Sequence, residues 1–470
     1  MIPATTAAAA DERTTDHARL VDPRTGLVRS IVDFPMPPRF PRGLIARGAD
    51  VANSLDPATW HADRAAVGSA FHDAEAAELA AIGEAVERYC GNFVPEGLRR
   101  ASFAELRAEG TAAVDPHDLT LYSRRQYATP GFPLVPFTRN LPVRWVPGHD
   151  MVDGTPTLVP ASLVYCNYHW GERKHTEPRT NGVIYAGIAA GPDRAFAEAA
   201  ALEELVERDA TAVWWLSGAP ATGIDVSGSV ALQQALVTAA EDPGVRYHFF
   251  AIPTGFDAAV VGCLLDDTEN QIIGAGFACR TDPEAAALKA LSEAVGTWFY
   301  STGILDPDGS IWAAIRAGAL DARAYKAHRA DRRYLDDFRD DYRDVIDLGA
   351  QMQFYLDPRA RVYAERMYAP PRTVPVAELG RWEPRDRRAH YLKQVAERGM
   401  RAYSVDVTTP DVAMAGLHVS RVVVPELYTN APASLPYLGG TRLYEEPAER
   451  GWLPAPVSEN ELFLAPIPHV

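Results

Sequence analysis

Residues 77–88 read AELAAIGEAVER, and residues 197–208 read AEAAALEELVER. Ala77, Glu78, Ala80, Ala81, Glu84, Val86, Glu87 and Arg88 recur as Ala197, Glu198, Ala200, Ala201, Glu204, Val206, Glu207 and Arg208. Residues three and four apart share one face of a helix. Glu84, Glu87 and Arg88 therefore lie together, as do Glu204, Glu207 and Arg208. The period predicts a helix in each copy, with Leu79, Ile82, Val86 and Tyr89 on the opposite, apolar face of the first. The charged face runs back through Ala77, Ala80 and Ala81, and in the second copy through Ala197, Ala200 and Ala201. Small side chains there leave room for something to approach closely. Glu and Arg within one turn ordinarily mark a solvated face held by local ion pairs. Such a face mixes Lys, Gln and Glu along its length, whereas this one is alanine around a single charged cluster, and it occurs twice.

A third stretch, EAAALKALSEAVGTW at 284–298, falls into the same register. Aligned on Glu293 it keeps Ala286, Ala290, Leu291, Ala294 and Val295, with Gly296 and Thr297 replacing the second Glu and the Arg. The expectation is three related helix-containing units.

Two facing helices of this kind bring four carboxylates together, which repel unless cations sit among them. Mg²⁺ is hard, takes oxygen ligands and bridges carboxylates to nucleotide phosphates. Arginine adds planar, bidentate donors suited to phosphate. Glu84, Glu87, Glu204 and Glu207 are the candidate metal ligands. Arg88 and Arg208, with Glu84 and Glu204, are the candidate nucleotide contacts. No GxxxxGK[ST] loop is present, so an ATP site here is not a P-loop.

An ordered series of segments makes the reading specific. LVDPRTGLVRS (20–30), EAVERYCGN (84–92), TNG (180–182), ELVERDATAVWW (204–215), DPEAAALKALSEAV (282–295), FRDDYRDVIDL (338–348) and VDVTTPDVAMAGLHVSRVVVPEL (405–427) span most of the chain. Together they resemble the YcaO family, in particular the D-proteins of azoline-forming peptide cyclodehydratases. The resemblance implies an α/β protein of the YcaO fold, with repeated helix–sheet units around a central nucleotide cleft. It implies ATP and Mg²⁺ as cofactors, held by Glu84, Glu87, Glu204 and Glu207 with Arg88 and Arg208 on the phosphates. The implied reaction adds a Cys, Ser or Thr side chain of a ribosomally made precursor peptide to the preceding amide carbonyl. The oxyanion is phosphorylated, and phosphate leaves to give a thiazoline or oxazoline. Thioamide formation by the same ATP chemistry, or a scaffold supporting an active partner, are the alternatives.

The departures from the family pattern carry information. Ala80 stands where the family often has Ser. Ala189, Pro192 and Phe196 stand where it has Ser, Asn and Glu near the nucleotide. The chain closes with ELFLAPIPHV, which resembles a shortened form of the family's PxPxP tail, whose end reaches the active site. Read alone, the same segment is a surface tail stiffened by Pro466 and Pro468. The chain leaves no room for an E1-like domain, so a separate E1-like, leader-peptide-binding partner is expected, with a homodimer as the family tendency.

Composition agrees. The 470 residues are 47% hydrophobic, enough for a sizeable core. A net charge of −16 argues against general nucleic-acid binding and against an anionic membrane surface. No apolar run approaches the ~20 residues of a membrane span. The N-terminus, MIPATTAAAADERTTD, has neither the basic nor the apolar region of a signal peptide. The four cysteines, Cys90, Cys166, Cys263 and Cys279, form no CxxC pair and fit a reducing cytoplasm.

The expected organisation is a disordered tail (1–16), an N-terminal segment (17–64), a YcaO domain (65–430) and a C-terminal segment (431–470). Runs at 157–165, 258–265, 271–278 and 418–427 predict strands. Proline-rich stretches near 128–137 and 365–388 predict connections. Tyr334, Phe338, Tyr342 and Val345, spaced through DRRYLDDFRDDYRDVIDL (331–348), predict an amphipathic helix. Cys166, His169 and His175 have conceivable metal spacing but read better as a polar loop. Trp214 and Trp215 continue the second helix into the core.

Overall fold

Strand followed by helix is the unit from which the chain is built, and it occurs three times. A computed structural model describes residues 17–37, 39–52, 65–241 and 244–470; the expected tail 1–16 lies outside them. Strands β1 (Val28–Phe34), β2 (Leu44–Val51) and β3 (Ala65–Phe71) form an antiparallel sheet, order β1-β2-β3. Helix α1 (Ala74–Asn92) follows β3 directly and packs on this sheet.

The second sheet combines distant segments. Strands β4 (Arg99–Ala101), β5 (Val143–Asp150), β6 (Pro156–Pro160) and β7 (Ile188–Gly191) join two later strands in the order β4-β5-β13-β14-β7, with β6 on β5. Those later strands are β13 (Tyr403–Asp406) and β14 (His418–Val423). Helix α2 (Arg194–Ser217) follows β7.

The third sheet contains β8 (Thr222–Asp225), β9 (Val245–Ala251), β10 (Ala259–Asp267), β11 (Ile272–Arg280) and β12 (Thr373–Pro375), in the order β11-β10-β9-β8-β12. Helix α3 (Pro283–Leu305) follows β11, and α4 (Arg387–Glu397) lies against α2.

One local device starts all three long helices. Asp73, Asp193 and Asp282 are the N-caps, accepting from the backbone N–H of Ala76, Phe196 and Glu284. Each satisfies a donor that the first helical turn leaves unpaired. The spacing from Asp73 to Glu84 repeats from Asp193 to Glu204 and from Asp282 to Glu293, so the third copy is in register with the other two.

The alanines serve packing between layers. Ala77 and Ala81 are fully buried against β3, where a Cβ on Gly68 would lie 2.2 Å from Ala77 O and 2.1 Å from Ala81 N. Gly276 on β11 meets Ala290 and Ala294 of α3 in the same way. The close approach that the alanines allow is therefore made by the chain's own sheet; Ala80 alone of the first set is exposed. Leu79 is also exposed, at 40%. The apolar cluster of Ile82, Val86 and Tyr89 with Val164, Ile188 and Val419 does not extend to its turn.

Strands occur as expected over 259–267, 272–280 and 418–423, but the run 157–165 divides. It is a strand to Pro160 and a helical turn over Ala161–Val164. Residues 331–348 do not form the expected helix. Only Tyr334–Asp336 make a 3₁₀ turn, and Arg332 and Tyr342 have φ of 55°. The aspartates explain this. Asp331 and Asp341 accept backbone N–H groups two residues on, and Asp344 accepts from Arg339 N, so side chains displace the helical ladder. The apolar residues are nonetheless inside: Tyr334, Phe338 and Val345 are buried. Residues 166–175 form a loop with one helical turn, and Trp214 and Trp215 are core.

Candidate functional site

The repeated glutamates bind the three units to one another. Glu84 Oε2 accepts from Val67 N of β3 at 2.8 Å, within its own unit. Glu87 Oε1 accepts from Ala190 N of β7, in the next unit, at 2.8 Å. The second helix repeats the arrangement: Glu204 Oε2 accepts from Gly187 N at 2.9 Å and Glu207 Oε2 from Cys279 N of β11 at 3.0 Å. Each helix thus ties one carboxylate to its own strand and one to its neighbour's.

The second oxygens of Glu84, Glu204 and Glu207 meet arginines. Arg88 Nη2 donates to Glu84 Oε1 at 3.0 Å. Arg208 Nη1 lies 3.2 Å from Glu207 Oε1, and its Nη2 lies 3.9 Å from Glu204 Oε1. The Arg88 guanidinium lies 4.7 Å from the centre of the Tyr185 ring. The charges of the two helices act on each other: Glu204 on Glu87, and Arg88 on Arg208. The structure therefore brings Glu84, Glu87, Arg88, Glu204, Glu207 and Arg208 into one cluster. As the side chains stand, no three His, Cys, Asp or Glu among the described residues converge as a metal-binding group.

Burial dominates the electrostatics. It raises Glu87 to about 8, against the bond from Ala190 N, and Glu204 and Glu84 add to the shift. It raises Glu207 to about 7, with Arg208 opposing. A buried carboxylate without full compensation favours its proton. For Arg208 burial acts downward, but Glu207, Glu204 and Glu293 outweigh it and hold the guanidinium more strongly charged.

Two further elements contribute to the cluster. Helix α3 adds an ion pair between Lys289 and Glu293 to the cluster: Glu84 acts on Lys289, and Arg208 on Glu293. The common Asp-cap spacing was the available signal, since it puts Glu293 in the place of Glu84 and Glu204. The second contributor is the C-terminal segment, which is not a surface tail. Trp215 Nε1 donates to Ala465 O, Tyr355 OH to Pro466 O and Ala275 N to Pro468 O, at 2.7, 2.6 and 2.6 Å. His469 Nδ1 lies 3.0 Å from Ala275 O, and Nε2 lies 2.8 Å from Arg208 Nη1. An arginine only donates, so Nε2 accepts and the proton sits on Nδ1. Burial, then Arg208, hold this imidazole neutral, lowered to about 4.

The departures lie outside the cluster's direct bonds. Ala189 is buried in β7 opposite Ser420. Phe196, in the first turn of α2, is exposed and has the Arg387 guanidinium 5.3 Å from its ring centre.

Residues 70–428 match the model of a family described as YcaO cyclodehydratases that bind ATP and Mg²⁺. The chain belongs to the YcaO family. ATP and Mg²⁺ are the cofactors of this family. An uncharacterized protein from the tfuA 3′ region of Rhizobium leguminosarum bv. trifolii is 27% identical over 47% of this chain and 52% of its own length. This YcaO chain spans about half the length of the curated relatives it matches. Among solved structures, a heterocyclase in complex with substrate and cofactor aligns with TM-score 0.70 and 20% identity, over 97% of this chain and 57% of that one. YcaO from Methanopyrus kandleri, bound with AMPPCP and Mg²⁺, aligns at 0.55 and 18%, over 86% and 90%. A chain of the E. coli microcin synthetase McbBCD complex with pro-MccB17 aligns at 0.51 and 13%, over 87% and 90%. These structures share the fold. Among the described residues no helix is long and apolar enough to cross a membrane.

Proposed function

We propose that this YcaO protein is an ATP-dependent cyclodehydratase subunit acting on a ribosomally made precursor peptide. The observation that carries the reading is the convergence of Glu84, Glu87, Arg88, Glu204, Glu207 and Arg208 from two helices, each glutamate pinned by a backbone N–H.

The donor set fits a hard divalent cation. It consists of carboxylates only, and the second oxygens of Glu84, Glu204 and Glu207 face arginines that phosphate could draw away. Glu84, Glu87, Glu204 and Glu207 are the proposed Mg²⁺ ligands. Bound there, Mg²⁺ would neutralise charge on the nucleotide phosphates. Arg88 and Arg208 bind the phosphates, and the backbone anchors hold the carboxylates in place so that little reorganisation accompanies binding. The Cys, Ser or Thr side chain of the peptide adds to the preceding amide carbonyl. That addition closes the ring; the former carbonyl oxygen takes the terminal phosphoryl group of ATP with release of ADP, and the C–O bond then breaks, phosphate and the amide proton leaving as the C=N bond of the azoline forms. The peptide is brought by a separate E1-like partner that holds its leader; the likeness to a chain of a multi-protein synthetase supports this. With an external sulfide in place of the side chain, the same activation would give a thioamide.

The test is calorimetry of ATP binding with and without Mg²⁺, comparing the wild type with Glu84→Ala/Glu204→Ala. Saturable, Mg²⁺-dependent binding lost in the double variant is expected. A folded wild type that binds no ATP, even with its partner, refutes the reading. Mass spectrometry of a reconstituted peptide then separates loss of water per ring from exchange of oxygen for sulfur.

A further inference from the structure

Arg421 is a large charged side chain buried beside the cluster, near enough for the charges of Glu204 and Arg88 to act on it, and the reaction gives it no task. It lies on β14, between β13 and β7, and is 1% exposed. Its guanidinium bonds almost wholly to backbone. Nε donates to Val164 O at 2.9 Å, Nη1 to Tyr185 O at 3.2 Å and Ala186 O at 2.5 Å, and Nη2 to Ile184 O at 2.8 Å. Nη2 also lies 3.6 Å from Cys166 Sγ. No carboxylate among the described residues contacts it. A buried cation without a counter-ion is costly and is kept only where several acceptors are fixed around it.

The three consecutive carbonyls it grips belong to Ile184–Ala186, the segment entering β7. That segment carries two site groups: Tyr185, whose ring faces the Arg88 guanidinium, and Gly187, whose N–H anchors Glu204. Gly187 has φ of 88° and its carbonyl accepts from Val422 N, next to Arg421, so the turn is held from both sides. The path runs from one guanidinium to a catalytic-cluster residue on each of the two helices.

We infer that Arg421 is a positioning residue, which fixes the 184–187 segment and through it sets Arg88 and Glu204 for Mg²⁺·ATP. The inference rests on the nucleotide reading above. Lysine keeps the charge but replaces a planar five-donor fork with one nitrogen and three donors, so it cannot span four carbonyls in this geometry.

The experiment compares the full chain with Arg421→Lys, Tyr185→Leu and the double variant. It reads amide hydrogen exchange over 184–190 without nucleotide, and Mg²⁺·ATP affinity by calorimetry. Arg421→Lys is expected to speed exchange over 184–188 and to weaken ATP on the order of tenfold, about 1.4 kcal/mol. Tyr185→Leu is expected to weaken ATP without speeding exchange. The double variant should lose less affinity than the product of the two single losses, because Tyr185 is one of the two groups through which Arg421 acts. Unchanged exchange in Arg421→Lys overturns the inference, and so does faster exchange with wild-type ATP affinity. If Arg421→Lys does not fold, wild-type ATP affinity in Tyr185→Leu overturns it. A wild type that binds no ATP sinks the nucleotide reading instead; the exchange then still decides whether Arg421 holds the segment.

Discussion

Glu207→Gln should make the metal-free protein more stable at alkaline pH. Glu207 is buried, bonded to Cys279 N at 3.0 Å and opposite Arg208 at 3.2 Å, yet burial still lifts it from 4.5 to about 7. The folded state therefore holds a proton that the unfolded state has lost between these values. Stability falls as pH rises through that window and levels off above it. The whole displacement corresponds to ~3 kcal/mol. Glutamine keeps an oxygen for Cys279 N and never ionises. Relative to wild type, Glu207→Gln should gain up to ~3 kcal/mol at pH 8.5 and nearly nothing at pH 4.5. Urea unfolding at both pH values, in chelator, measures this difference. Mg²⁺·ATP at a thousand times its Kd should reverse the order, because it then stabilises by ~4.1 kcal/mol only where it binds. Equal stability of the two proteins at pH 8.5 would refute the argument that burial makes the ionised Glu207 carboxylate costly.

His469→Phe should remove the acceptor for Arg208 and the donor to Ala275 O, costing ~1–3 kcal/mol in urea unfolding. In the wild type His469 is lowered to about 4, so it costs stability as pH falls from 6.5 towards 4, and His469→Phe should flatten that acid limb. Gly276→Ala puts a methyl 2.2 Å from Ala290 O and Ala294 N, both backbone, and should lower stability by ~1–3 kcal/mol with a measurable drop in Tm.

The two ExxER helices and the buried Trp214–Trp215 pair were legible in the chain because each follows the helical period alone. The family could be read for the same reason: its motifs lie in short ordered segments. Local pattern failed at 331–348, where the apolar spacing marked buried residues correctly but aspartates bonded to nearby backbone in place of a helix. The alanines marked a close approach, but only the packed structure reveals that Gly68 and β3 are what fills the space beside Ala77 and Ala81.

By itself, then, the sequence determined that the repeated long helices form and which of their charges share a face. Tertiary structure decided what those charges meet. Ala190 N for Glu87 and Cys279 N for Glu207 come from strands far along the chain, and Lys289 and His469 enter from a third helix and the C-terminal segment. Such contacts leave no mark in periodicity, because they depend on how three sheets close around two helices and not on the spacing of residues within either.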